Sequence, residues 1–367
     1  MKFGIFYEHQ LPRPWGPKDE YDLLQNSLSQ VELADQLGYD YVWEVEHHFL
    51  EEYSHSSAPE VFLAAASQRT RRIRLGHGIV LMPPGYNHPA RVAERIATLD
   101  LISDGRVDWG TGESASRVEL EGFGIDPKDT REMWREAIEH VVGCWTNERY
   151  SIDSEYWTLA DRRVQPKPLQ QPHPPIWGAT TSDDGHAQVG ELGLGLCSFA
   201  VGVSPEEVKK KIDIYRASVS KCTTPIGKFV NNQAATFTMA VCAPTDAEAK
   251  DVARESFEWY PKVGARQIAQ VAEWMAERKQ GLGNYAYAAD MKAHSDDGSL
   301  DLLSLEYLVD SGACVLGTPD QCLDACKRYE AAGVDLLLCL VNPYKIPHDK
   351  VMQTIDLLGR HVIPAFS

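Results

Sequence analysis

A chain of 367 residues with 36 Lys+Arg against 53 Asp+Glu carries a formal charge of −17, and no basic run in it is dense enough to track a phosphate backbone or an anionic membrane. Nucleic acid and membrane are therefore not expected as partners. No apolar stretch approaches the length of a membrane span, and Met1-Lys-Phe-Gly-Ile-Phe-Tyr7 opens as a strand without the apolar core of a signal peptide, so the expectation is a cytoplasmic protein.

The length suits either two average domains or one large α/β barrel with insertions. Eight cysteines are scattered without a CxxC pair, as buried thiols in a reducing compartment would be. Cys322 and Cys326 share a helix face at i and i+4, but no His or carboxylate spacing completes a metal site, and the expected reading is packing.

Apolar strand-like runs alternate with helical periodicity from the first residues. Phe3–Tyr7 precedes a helix in which Leu24, Leu28 and Val31 recur at three and four, with Asp19 as a plausible N-cap and Gly38 as a left-handed stop. Tyr41–Val45 is the second strand and Pro59–Arg69 the helix after it. Ile73–Leu81 reads as a third strand, followed by a helix from Pro89 that buries Val92, Ile96 and Leu99 and closes at Asp104-Gly105. Val107–Gly112 is a fourth strand and Glu132–Trp145 a fourth helix.

The pattern then breaks. Tyr150–Thr158 looks like a small hairpin, and five prolines between Pro166 and Pro175 exclude a regular helix. Strands resume at Ile176–Ala179, Leu194–Ala200, Ala235–Cys242 and Asp335–Val341. Helices are expected near Asp184–Leu192, Pro205–Ser218, Ala247–Phe257, Pro319–Ala332 and His348–Leu358. Eight strand–helix repeats favour a single (β/α)₈ TIM barrel over residues 1–367, with insertions after strands 4 (about 150–175) and 7 (about 258–305). The second insertion is polar and poorly periodic; it reads as a mobile lid or as a plain surface excursion.

In such a barrel chemistry gathers at the carboxyl ends of the strands. Strand two ends in Glu46-His47-His48, where a buried apolar run gives way to a carboxylate and two imidazoles that need solvent, partners or a ligand. Alternation puts Glu46 and His48 on one side and His47 on the other, unless a bulge intervenes, which makes His47 and His48 an awkward metal pair. A zinc site recruiting His77, His88 or His186 would lack any HxH or HExxH spacing, so no metal is expected. General acid–base work, or two histidines that merely cap a strand, are the readings left.

After strand five, Trp177-Gly-Ala-Thr-Thr-Ser-Asp-Asp-Gly-His186 is a small-residue loop opening onto a helix, a place where exposed N–H groups favour an anion. Ser182 or Asp183 would also serve there as an ordinary N-cap. His77-Gly78 interrupts strand three, where a glycine allows either a tight packing contact or a flat ring against the backbone. Trp43, Trp109, Trp177 and Phe6 are expected to fill the barrel.

Taken together, Trp43-Glu-Val-Glu-His-His-Phe49, Leu75-Gly-His-Gly-Ile-Val-Leu-Met-Pro83, His88-Pro-Ala-Arg-Val-Ala-Glu94, Leu99-Asp-Leu-Ile-Ser-Asp-Gly-Arg-Val107 and Pro166-Lys-Pro…Pro172-His-Pro-Pro-Ile-Trp-Gly-Ala179 resemble the bacterial luciferase-like flavin monooxygenases. The likeness runs in order from residue 1 to about 200 and returns over 313–358, while about 220–310 carries little pattern. It implies a two-component enzyme: reduced FMN, delivered by a separate NAD(P)H:flavin reductase, reacts with O2 through a C4a-peroxyflavin to oxygenate an aldehyde, ketone or natural-product intermediate. Carried over residue by residue, Glu46 matches the carboxylate beside the flavin, His47 the acid–base histidine, and His48 its support.

His77 and Gly78 match the pair against the isoalloxazine ring. Thr181, Ser182 and Gly185 match the phosphate-binding loop, and Gly112, Ala179 and Thr180 are expected to bind the cofactor as well. One residue departs from the pattern: Glu113 stands where luciferase has an arginine near the phosphate, and it is expected to point elsewhere. A homodimer through the helices after strands two and three is a family expectation, with which Ala64-Ala-Ala66 is compatible. Two alternatives stay open: an F420-dependent hydride-transfer enzyme of the same superfamily, or a silent partner subunit like the luciferase β chain.

Overall fold

The computed structural model describes residues 1–199 and 202–366. Each strand of the first half is followed by a helix whose apolar face closes over it. β1 (Lys2–Tyr7) leads to α1 (Asp19–Leu37), which Gly38 ends at φ 93°; Asp19 lies one residue inside the helix and binds the Gly16 N–H instead of capping. β2 (Tyr41–Glu44) precedes α2 (Pro59–Arg69). The third strand is not continuous: β3 (Arg74–His77) and β4 (Val80–Leu81) are separated at Gly78–Ile79, whose peptide is cis.

α3 (Pro89–Ile102) starts on a proline whose missing N–H costs nothing there, and the His88 ring accepts the Ala90 N–H. β5 (Val107–Gly112) is followed by a short helix that the pattern did not announce, α4 (Arg117–Gly122), before α5 (Thr130–Thr146). The expected hairpin is β6 (Tyr150–Asp153) with β7 (Thr158–Arg162). β8 (Ile176–Thr180), α6 (Asp183–Glu191), β9 (Gly195–Ser198) and α7 (Pro205–Val219) follow. Ala200, expected at the end of β9, lies outside the described residues.

After β10 (Ala234–Cys242) the segment that reads as poorly periodic is largely helical. α8 runs without interruption from Asp246 to Glu277, past Pro261, and is succeeded by α9 (Ala286–Asp296) and α10 (Leu305–Ser311). A second apolar cluster explains this order: Val271, Ala272, Trp274 and Met275 of α8 pack on Leu120 and Ile125 beside α4, and Tyr285 and Ala288 complete it. A proline in mid-helix removes one hydrogen bond, a loss that burial of a whole apolar face outweighs. An added short strand, β11 (Val315–Gly317), pairs with the end of β10 before α11 (Pro319–Ala331), β12 (Leu336–Leu340) and α12 (His348–Leu357).

Parallel ladders join β1, β2, β3, β5, β8, β9, β10 and β12 in that order, and β12 returns to β1, so eight strands close a barrel. Its interior is aromatic. Trp43 and Trp177 meet edge to face at 5.4 Å, above a buried pair in which Arg74 Nε donates to Asp108 Oδ2 at 2.6 Å. Gly76 makes room for the Trp43 indole, since a Cβ there would sit 2.2 Å from its Nε1. Phe6 and Phe237 stack at 4.8 Å nearer the carboxyl end, with Phe199 against both. No helix among the described residues is long and apolar enough to cross a membrane.

Candidate active site

The carboxyl ends of β2, β3, β5 and β8 are consecutive around the barrel, so the residues singled out from the sequence lie on one arc of one rim. Past the end of β2 the side chains diverge as alternation predicted. Glu46 turns one way: its carboxylate accepts the Leu81 N–H at 2.8 Å and Asn87 Nδ2 at 3.0 and 3.2 Å, and His48 Nε2 lies 3.3 Å away. The His48 ring is wedged between Tyr86 and Phe123. These contacts tie the segment to the loops after β4 and α4.

His47 turns the other way and keeps about a quarter of its side chain exposed. Its Nδ1 lies 2.9 Å from Oε1 of Glu119, a carboxylate with no exposed surface that also accepts the His48 N–H at 2.9 Å and the Ser114 hydroxyl at 3.0 Å. Glu119 therefore fixes the Nδ1 proton and leaves Nε2 to face the opening. Burial alone would lower the basicity of this ring, but Glu119, then Glu8 and Glu46, outweigh it and hold the imidazole above its ordinary range. Sequence reasoning missed Glu119. Ser116, which caps α4 by accepting the Glu119 N–H, was its one local signal.

Of the pair in strand three, Gly78 opens on the barrel interior, where a Cβ would meet the Phe6 ring at 2.8 Å. His77 faces the helix layer instead. It has no exposed surface, sits near the charges of Glu60 and Arg95, and is pushed down to about 4 by burial, so it is neutral at working pH. Gly112 meets Ile79 closely, a built Cβ falling 2.2 Å from Ile79 Cδ1 and 3.8 Å from Ala179 Cβ, which brings Gly112 and Ala179 to one spot.

Beyond Ala179 lies the start of α6. Ser182 caps it, its hydroxyl accepting the Gly185 N–H at 3.1 Å, and Thr180, Thr181 and Ser182 are half-buried. Gly185 is needed for close approach, because a Cβ there would stand 1.8 Å from Thr180 Oγ1. A cation missed in the sequence completes the turn: Lys211 of α7 donates to the Thr181 carbonyl at 2.8 Å and to Asp183 at 3.2 Å. His186 binds Ser182 O and Ser198 Oγ and is pushed down to about 4 by burial, which suits a structural role. As expected, Glu113 is engaged elsewhere, by Arg131 at 2.8 Å, by Thr130 at 3.0 Å and by Asn284 of the insertion. Among the described residues, no three His, Cys, Asp or Glu are grouped to hold a metal ion.

The start of α6 with Lys211, and His47 with Glu119, thus stand past the carboxyl ends of β8 and β2 on the same rim. Residues 1–336 match the family model described as luciferase-like monooxygenase. The chain belongs to that family. One relative is the oxygenase component of a flavin-dependent trigonelline monooxygenase from Acinetobacter baylyi, 25% identical over all of this chain and 96% of that protein. The crystal structure of monooxygenase RslO1 from Streptomyces bottropensis superposes at a TM-score of 0.76 over the full length of both chains, with 27% identity. An F420-dependent secondary alcohol dehydrogenase shares the fold at TM-score 0.72 and 18% identity, covering 100% of this chain and 99% of that one. The architecture is thus shared with a deazaflavin-dependent protein.

Proposed function

We propose that this protein is the oxygenase component of a two-component monooxygenase that uses reduced FMN and O2 to oxygenate a small organic substrate. The observation that carries the reading is that His47, held by Glu119, and the turn Thr180–Gly185 at the start of α6 stand at carboxyl ends of strands on one rim. Support for the cofactor comes from the half-buried hydroxyls of Thr180, Thr181 and Ser182 at the start of α6 and from Lys211, which lies against the Thr181 carbonyl and pairs with Asp183. The phosphate would be held by Thr180, Thr181, Ser182, Gly185 and Lys211, and the ring would lie near Gly78, Gly112 and Ala179. When bound, reduced flavin supplies the electrons that activate oxygen.

The protein's own share is proton management and dryness. Glu119 orients His47, whose Nε2 exchanges a proton with the reacting oxygen or with substrate. Glu46 and His48 brace that segment, and the aromatic floor of Phe6, Phe199 and Phe237 excludes water. A lysine beside one dianionic phosphate suits FMN, whereas the longer acidic tail of F420 would call for more cations than this loop displays. A flavin reductase would deliver the cofactor, as the component name of the Acinetobacter relative suggests, and a homodimer is the expected assembly.

Anaerobic titration tests this reading. The protein is expected to bind FMNH₂ and, on mixing with oxygen, to give a transient flavin absorbance distinct from both the reduced and the oxidised forms. Tight F420 binding with no response to FMNH₂ would reject it in favour of hydride transfer, and binding of neither would favour a silent subunit.

A further inference from the structure

Two buried carboxylates bear on His47, and the proposed mechanism has used only Glu119. The other, Glu8, follows the end of β1 and is 4% exposed. Tyr260 Oη donates to its Oε1 at 2.7 Å, Tyr53 Oη reaches the same oxygen at 3.5 Å, and Gln10 Nε2 donates to Oε2 at 3.2 Å. Tyr53 connects this network to the histidine: its ring meets the His47 imidazole at 5.9 Å edge to face and lies flat on Tyr260 at 5.8 Å with 9° between the planes. Tyr260 belongs to α8, the insertion helix.

α8 also touches the opposite carboxylate's support. Arg117 of α4, two residues before Glu119, binds both oxygens of Glu277 at 3.1 and 2.9 Å, and Arg278 and Gln280 bind Asp126 at 3.1 and 3.0 Å. Tyr285 Oη, beyond the helix, donates to the Ser114 carbonyl at 2.9 Å. One helix therefore reaches from the Glu8 side of His47 to the Glu119 side.

We propose that Glu8 and Tyr260 are positioning residues through which α8 helps set the proton carried by His47, a role that rests on the acid–base duty assigned to that histidine. Both oxygens of Glu8 face donors, which favours the ionised carboxylate, but burial outweighs them and holds the carboxyl above its ordinary range. Tyr260 is the shortest of the donors and the one that the insertion supplies. The Tyr260 donor favours ionisation of Glu8, and a charged Glu8 makes His47 hold its proton more tightly. Without that donor Glu8 ionises less readily, and His47 gives up its proton at lower pH. The charged and titratable groups facing this pair are Glu119, Glu46, Tyr53 and Tyr260, and only Tyr260 is carried by α8.

Histidine NMR on the ligand-free full chain tests the coupling without reference to turnover, the His47 signal being assigned from its loss in His47→Gln. Glu8→Gln is expected to lower the His47 titration midpoint by about one pH unit. Tyr260→Phe, which keeps the ring packing, is expected to lower it in the same direction by a smaller step. An unmoved midpoint in Glu8→Gln overturns the role of Glu8; a shift there with none in Tyr260→Phe overturns the link to the insertion. Should Glu8→Gln fail to fold, Tyr260→Phe decides alone. A shift in a protein that ignores FMNH₂ would uphold this coupling while rejecting the monooxygenase.

Discussion

His47→Ala is expected to lower product formation by about 10²–10⁴-fold, the usual contribution of a positioned acid–base group, while flavin affinity stays near that of the parent. The separation of effects follows from the geometry. His47 is on the β2 segment and is held by Glu119 of α4, whereas the anion-binding turn is built from β8, α6 and Lys211. Turnover of the parent protein should also show one histidine limb in its pH profile, lying above the ordinary imidazole range because Glu119, Glu8 and Glu46 favour the protonated ring. His77 and His186 cannot supply that limb, since both are pushed down to about 4. The limb should vanish in His47→Ala. Steady-state product assays across pH, paired with flavin titration, check both statements; unchanged turnover removes the role, and a joint loss of binding and turnover would make His47 a cofactor ligand instead.

Gly110→Ala is expected to destabilise the fold by about 3 kcal/mol, at the upper end of what overpacking costs. A Cβ at this position of β5 would fall 1.9 Å from the His77 carbonyl oxygen and 3.4 Å from Ile79 Cγ2. The obstructing atom is backbone and has little freedom to withdraw, because β3 is paired with β2 and β5 and the next amide, Gly78 N–H, is bonded to the Glu44 carbonyl at 2.7 Å. Urea unfolding gives the comparison, with Gly281→Ala as the control: nothing stands within 4 Å of a Cβ there, and its midpoint should stay or rise slightly. Equal midpoints for Gly110→Ala and the parent would contradict the packing described.

What the sequence disclosed and what it hid divide along the range of the interactions. Periodicity and turn residues are local, and they located the eight barrel strands, the α6 cap at Ser182 and the opposed directions of His47 and His48. Glu119 was hidden because nothing in Arg117-Val-Glu-Leu-Glu121 says that one of two carboxylates is buried 72 residues from its histidine. Lys211 was hidden for the same reason, on a helix face otherwise rich in exposed lysines and acids. The long α8 was obscured by the polar, weakly periodic composition of the segment, although Val271, Trp274 and Met275 already had helical spacing. Continuity of strand three could not be judged either: an apolar run with a central glycine is the same in a straight strand and in one divided at Gly78–Ile79.

The most direct test of the central claim is the crystal structure of the protein with FMN bound. The account predicts the phosphate at the start of α6, against Thr180–Gly185 and Lys211, with the isoalloxazine ring inside the barrel mouth and its edge toward His47. A phosphate lodged at another turn, or a ring lying away from His47, would contradict it.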